Sequence, residues 1–135
     1  MLNQQRLREV ELIARLLMAV ILLVAGTSKF FSDGGFLAYY SSAFQGDLRI
    51  VMPRPLIDVY LSIIPFIEVG LGFALLFARL KRFAVLAWFL FMLSLLVGHY
   101  LLQEWSAVNQ MLDYFFLGFL VYVLPTYNFV GTTKD

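Results

Sequence analysis

Cysteine is absent from this 135-residue chain, which excludes a disulfide framework, a thiolate metal cluster and a CxxC redox pair. Charge is scarce as well. Only 14% of residues are charged, against roughly 25% in an average soluble domain. The ten basic and nine acidic side chains nearly cancel, and the basic ones form no run or aromatic-spaced patch of the kind that follows a phosphate backbone, so nucleic acid is not a partner. A single histidine cannot supply bis-histidine haem ligation. His99 and Met92 share one helix face and cannot flank a porphyrin. His99, Glu68 and Asp113 have metal-ligand chemistry but no characteristic spacing, so no metal site is assigned. Gly70 and Gly72 are a fragment of a nucleotide fingerprint with no strand before them. No Ser-His-Asp or P-loop pattern occurs.

What is present is grease: 61% of the residues are hydrophobic. A domain this small buries only part of its apolar surface around one core, and lipid is the solvent that accommodates the excess. Apolar runs of roughly 20 residues, long enough to cross about 30 Å of hydrocarbon, fall at 12–31, 56–77, 83–102 and 108–125, the last with an extension toward Val130 beyond Pro125. The expectation is an all-α integral membrane protein, a single domain over 1–135 built as a four-transmembrane-helix bundle. Arg6 and Arg8 precede the first run as in a secretory signal, but its length, its internal charges and the lack of an Ala-x-Ala site read as a retained helix. Arg6, Arg8, Arg79, Lys81, Arg82 and Lys134 lie on one side and Arg49 and Arg54 on the other. By the positive-inside rule both termini face the cytoplasm of a bacterial inner membrane.

The first extracytoplasmic loop is too long for a simple connector. Phe36, Tyr39, Tyr40 and Phe44 recur at helical spacing, with Ser41, Ser42 and Gln45 mostly elsewhere, which predicts a short interfacial amphipathic helix. It is either an aromatic anchor or a lid over an outward-facing pocket. Pro53 and Pro55 stiffen the entry to the second span.

Ionisable residues inside a bilayer are costly and normally turn toward the bundle interior. At 100° per residue, Arg15, Met18, Leu22, Gly26 and Lys29 share one stripe, as do Asp58, Leu61, Pro65, Glu68 and Gly72 on the second span. The third span carries Trp88, Met92, Leu95, His99 and Gln103 on one face, and the fourth Asn109, Asp113, Phe116 and Leu120. Gly26 and Gly72 permit close helix approach. Lys29, His99 and Asp113 fall near a common outer level and Glu68 lies deeper, so these four are the expected lining of an outward-opening polar pocket for ligand binding or proton relay. Tyr39, Tyr40, Asp58, Tyr100, Gln103 and Tyr114 are secondary candidates. The alternative for the same residues is structural: Lys29 paired with Asp113 or Glu68 to fix helix register, His99 bonding across helices. Arg15, at the opposite end, is expected to snorkel to the cytoplasmic headgroups.

The segments Ala25-Gly26-Thr27-Ser28-Lys29-Phe30 and Pro65-Phe66-Ile67-Glu68-Val69-Gly70, in this span order, resemble the DoxX family of small four-span bacterial membrane proteins. The tail departs from that family: Tyr127-Asn128-Phe129-Val130-Gly131 stands in place of a Gly-rich Ser-Leu-Asp ending. The resemblance implies a redox-associated protein, like the small subunit of thiosulfate:quinone oxidoreductase or the proteins that mature periplasmic amine dehydrogenases, with Lys29 and Glu68 as signature residues. The resulting expectation is a subunit in quinone-linked chemistry, with no covalent cofactor and no catalysis of its own. Lys29 or His99 would bond a quinone carbonyl, and Glu68 or Asp113 would relay protons. Two other classes stay open: a non-catalytic assembly subunit that docks a protein partner or a second copy, and a small proton-coupled transporter with Glu68 as carrier.

Overall fold

The computed structural model describes residues 3–46 and 52–127. Within them the chain is helical throughout: α1 (Gln4–Phe30), α2 (Gly35–Phe44), α3 (Arg54–Leu76), a 3-10 turn at Ala78–Leu80, α4 (Lys81–Leu101) and α5 (Trp105–Val123). Four of these, α1, α3, α4 with its preceding turn, and α5, are long and apolar enough to cross a membrane. The chain is a multi-pass membrane bundle, as its composition requires. Arg49, Lys134 and the extension to Val130 lie outside the described residues.

The helix ends follow local chemistry. α1 begins well before residue 12 because Asn3 caps it, its side chain accepting from Gln5 N–H at 3.2 Å, and Gln5 pairs with Glu9 one turn on. A hydropathy window sees the hydrocarbon-matched part of a helix and misses its polar first turns. Pro55 occupies the first turn of α3, where a missing N–H costs nothing. α5 stops at Val123 because Leu124, preceding Pro125, is forced into an extended conformation.

The bundle is assembled mainly on α1 and α3, which pack along one another more extensively than any other pair. Small residues at the crossing allow it: a Cβ on Gly26 would meet Val69, the Pro65 carbonyl and Glu68 at 2.8 to 3.0 Å, and one on Gly72 would meet Leu23 at 2.8 Å. α4 and α5 pack through an aromatic cluster of Trp88, Phe89, Phe115 and Phe119. Gly118 lies against the Trp88 ring, and a Cβ there would overlap it and also meet Phe89 Cζ at 3.0 Å. Gly118→Ala is therefore expected to cost about 1–3 kcal/mol through overpacking, read as a lower thermal midpoint in detergent. An unchanged midpoint would mean that α5 swings away at no cost.

Candidate functional site

The close crossing at Gly26 positions the first element of the site. One turn beyond it on α1, Lys29 Nζ lies 2.7 Å from both carboxylate oxygens of Glu68 on α3. The Glu68 side chain is 6% exposed and that of Lys29 18%, so the pair is largely shielded, with Lys29 the more accessible partner. The ammonium also lies 5.1 Å from the centre of the Phe36 ring on α2, a cation–π contact that ties the lid helix to the charge.

The second element is at the end of α4. The chain reverses through Gln103, whose φ of 57° lies in the left-handed region, with Glu104 N–H bonded to the His99 carbonyl at 3.0 Å. That turn carries the Glu104 carboxylate back to within 2.5 Å of His99 Nδ1. The Tyr40 ring meets His99 edge-on at a centroid separation of 6.0 Å. Burial, then the Glu104 carboxylate and Tyr39, push the Tyr40 phenol above its usual range, so it stays neutral at physiological pH and keeps its O–H. α2 is fixed from beneath, where Ser41 donates to Asp58 on α3 at 2.6 Å.

Between these elements is a cavity of about 190 Å³ whose lining includes Lys29, Glu68, His99, Tyr40, Phe36 and Tyr60. The structure thus brings together Lys29, Glu68, His99 and Tyr40 of the residues singled out from sequence. α2 lies over the cavity, turning Phe36, Tyr40 and Phe44 toward it and leaving Tyr39 59% exposed.

Other expected members lie elsewhere. Asp113 is exposed, with Phe116 and Leu120 of its stripe, because Met111, Gly118 and Val121 form the buried face of α5. It neither lines the pocket nor pairs with Lys29. Tyr100 is exposed against Trp105, Gln103 is exposed in the turn, and Tyr114 packs against the core. Asp58 holds α2 instead of lining the cavity. Among the described residues no group of three His, Asp or Glu side chains is placed to hold a metal ion.

Glu104 escaped the sequence reading because its partner is five residues away across a helix-ending turn, a spacing no helical stripe contains. The larger omission is at the opposite end. Arg15 does not snorkel: it and Glu11 are fully buried and 2.8 Å apart, and the guanidinium also donates to the carbonyls of Leu75, Leu76 and Tyr127. Lys81, read as a loop charge, is buried beside them and donates to the Leu124 carbonyl at 2.6 Å.

The family model described as methylamine utilisation protein MauE matches residues 7–113. The chain belongs to the MauE family. This overturns the DoxX resemblance, for which nothing in the comparison speaks. The two motifs that suggested it encode a small-residue helix crossing and the Lys29–Glu68 pair beside it, and these alone do not separate the two families. No curated protein and no solved structure matches the chain. The family's description names methylamine utilisation.

Proposed function

We propose that this MauE-family protein is a non-catalytic membrane subunit supporting an amine-oxidising system, and that it does so by binding the head group of a membrane amphiphile, a quinone in the first instance, in the pocket at Lys29 and Glu68. One observation carries the reading. A register-fixing ion pair is normally packed over by hydrocarbon, whereas Lys29 and Glu68 line an open cavity beneath aromatic rings. The ammonium and the Tyr40 hydroxyl are hydrogen-bond donors suited to quinone carbonyl oxygens, Glu68 accepts from a quinol, and Phe36 and Tyr40 supply stacking surface. The charge asymmetry of the loops supports an outward-facing pocket with cytoplasmic termini in a bacterial inner membrane.

The test uses protein purified into lipid nanodiscs and titrated with decylubiquinone, with bound quinone quantified by extraction. Saturable binding is expected, weakened at least tenfold, about 1.4 kcal/mol, by Lys29→Met and by Glu68→Gln. A host lacking the gene should regain growth on methylamine with the unaltered chain and not with these variants. Full complementation by both would sink the proposal.

Asp113 favours a second reading. A carboxylate exposed on α5 among Leu112, Phe116 and Phe119 is expensive toward lipid, and a basic group from a partner subunit or a second copy would satisfy it. In that reading the protein is an assembly subunit, and Asp113→Asn abolishes co-purification while leaving quinone binding unchanged.

A further inference from the structure

A second cavity, of about 520 Å³, opens between α3 and α4. Phe44, Tyr60 and Gly98 line both it and the charged pocket, so the two spaces adjoin through one seam. Their sizes divide the work. Sites that enclose a whole small-molecule ligand run from roughly 300 to 1,000 Å³. The pocket at Lys29 and Glu68, about 190 Å³, admits a head group and no more, while the second space is large enough to take an extended apolar segment.

Its chemistry is that of a tail site. Among its lining residues the side-chain polar atoms are those of Tyr60 and Ser94 and the thioether of Met52, and the two hydroxyls bond each other at 2.8 Å. Ser94 gives its hydrogen to the Phe91 carbonyl at 2.7 Å, so Tyr60 is the donor in the pair. Leu90 and Val97 are 71% and 52% exposed, which puts the open side of the groove against the acyl chains. The gap has a packing cause: α3 is drawn onto α1 by Gly26 and Gly72, while Tyr60 and Leu90 are among the large side chains along the α3–α4 side. At the seam, a Cβ on Gly98 would sit 3.6 Å from Phe44, an ordinary contact that leaves the passage open, whereas a longer side chain there would block it.

We propose that the α3–α4 groove is a lateral portal and tail site for a single-tailed membrane amphiphile, which enters sideways from the bilayer, lays its apolar chain along α4 and passes its head between Phe44, Tyr60 and Gly98 into the charged pocket. This rests on the head-group reading for what occupies the pocket, and on the adjoining cavities for the route. Tyr60 lines both spaces, its phenol bonded to Ser94. A two-chain phospholipid, the most abundant competitor, is the alternative that the experiment must exclude.

The protein in nanodiscs is photolabelled with a decyl quinone bearing a diazirine at the tail end, and separately with a phosphatidylcholine bearing the same group on one acyl chain. Tail-quinone label is expected several-fold richer on the α3–α4 peptides containing Leu56, Leu90 and Val97 than on the lipid faces of α1 and α5, with the phospholipid label spread evenly. Gly98→Leu should remove the enrichment and slow quinone uptake. Should that variant fail to fold, Val97→Trp fills the groove from the lipid side and should do the same. Even labelling by the quinone, equal enrichment by the phospholipid, or enrichment that survives a folded groove-filling variant overturns the portal. Binding of a tail-less dimethoxy-methylbenzoquinone separates the two claims. If it binds through Lys29 and Glu68 while the tail label is even, the portal falls and the head-group site stands. If groove enrichment persists in Lys29→Met and Glu68→Gln and the tail-less quinone does not bind, the portal stands and the head-group reading falls.

Discussion

Glu11→Ala is expected to be among the most damaging single substitutions in the chain, lowering the stability of the folded bundle by about 3–5 kcal/mol, the cost of removing one partner from a buried pair. Glu11 is fully buried and serves three groups at once. Its carboxylate accepts from Arg15 Nε at 2.8 Å and from the Tyr127 N–H at 2.9 Å, and lies 3.6 Å from Lys81 Nζ. Two cations share this one carboxylate, and the imbalance is met by carbonyls at the ends of α3 and α5, where the helix dipole places partial negative charge. Without Glu11 the two cations are left together. Arg15→Ala should cost less, because Glu11 keeps Lys81, and Arg15→Lys less again, although a lysine has no planar fork to reach Glu11 and two carbonyls together. Unfolding measured by steric trapping in bicelles checks the order Glu11→Ala, Arg15→Ala, Arg15→Lys. Values all within 1 kcal/mol of the unaltered chain would show that water reaches the cluster.

That cluster also marks where the sequence stops being legible. The four spans and the lid helix are readable because they are local, set by apolar run length and by aromatic spacing over three to four residues. Lys29 and Glu68 are readable because each shares a stripe with a glycine, and two glycine-bearing stripes on neighbouring helices are brought face to face by close packing. Arg15 is not readable in the same way. Its carbonyl partners are 60 or more residues distant, and backbone acceptors at helix ends have no side-chain signature, so headgroup snorkelling is the natural reading from sequence alone. Glu11, four residues before Arg15, was legible as an i, i+4 partner, but it precedes the apolar run and so falls outside a span counted in hydrocarbon. Asp113 fails for another reason. A polar stripe predicts the inward face only when nothing stronger sets the rotation, and on α5 the fit of Gly118 to Trp88 sets it. The family correction has a related cause: two short motifs do not separate one family of four-span proteins from another.

The role of Lys29 and Glu68 is separable from their contribution to stability, and the separation is the second large expected effect. Lys29→Met strands a carboxylate whose side chain is 6% exposed, and the expected loss is about 3 kcal/mol, the lower end of the range for a broken buried pair, because the pocket admits some solvent. Glu68→Met strands the ammonium of Lys29, which is the more exposed partner and retains the Ala25 carbonyl at 3.4 Å and the Phe36 ring, so it should lose less. The double substitution Lys29→Met and Glu68→Met removes both charges and replaces them with apolar groups of similar reach, and replacing a whole buried pair is often neutral for stability. Its thermal midpoint should therefore return close to that of the unaltered chain. Quinone binding and growth on methylamine should not return with it, since the charged donor and acceptor of the pocket are gone. A double variant that recovers stability and function together would make the pair a register device, and the cavity beside it an incidental gap under the lid helix.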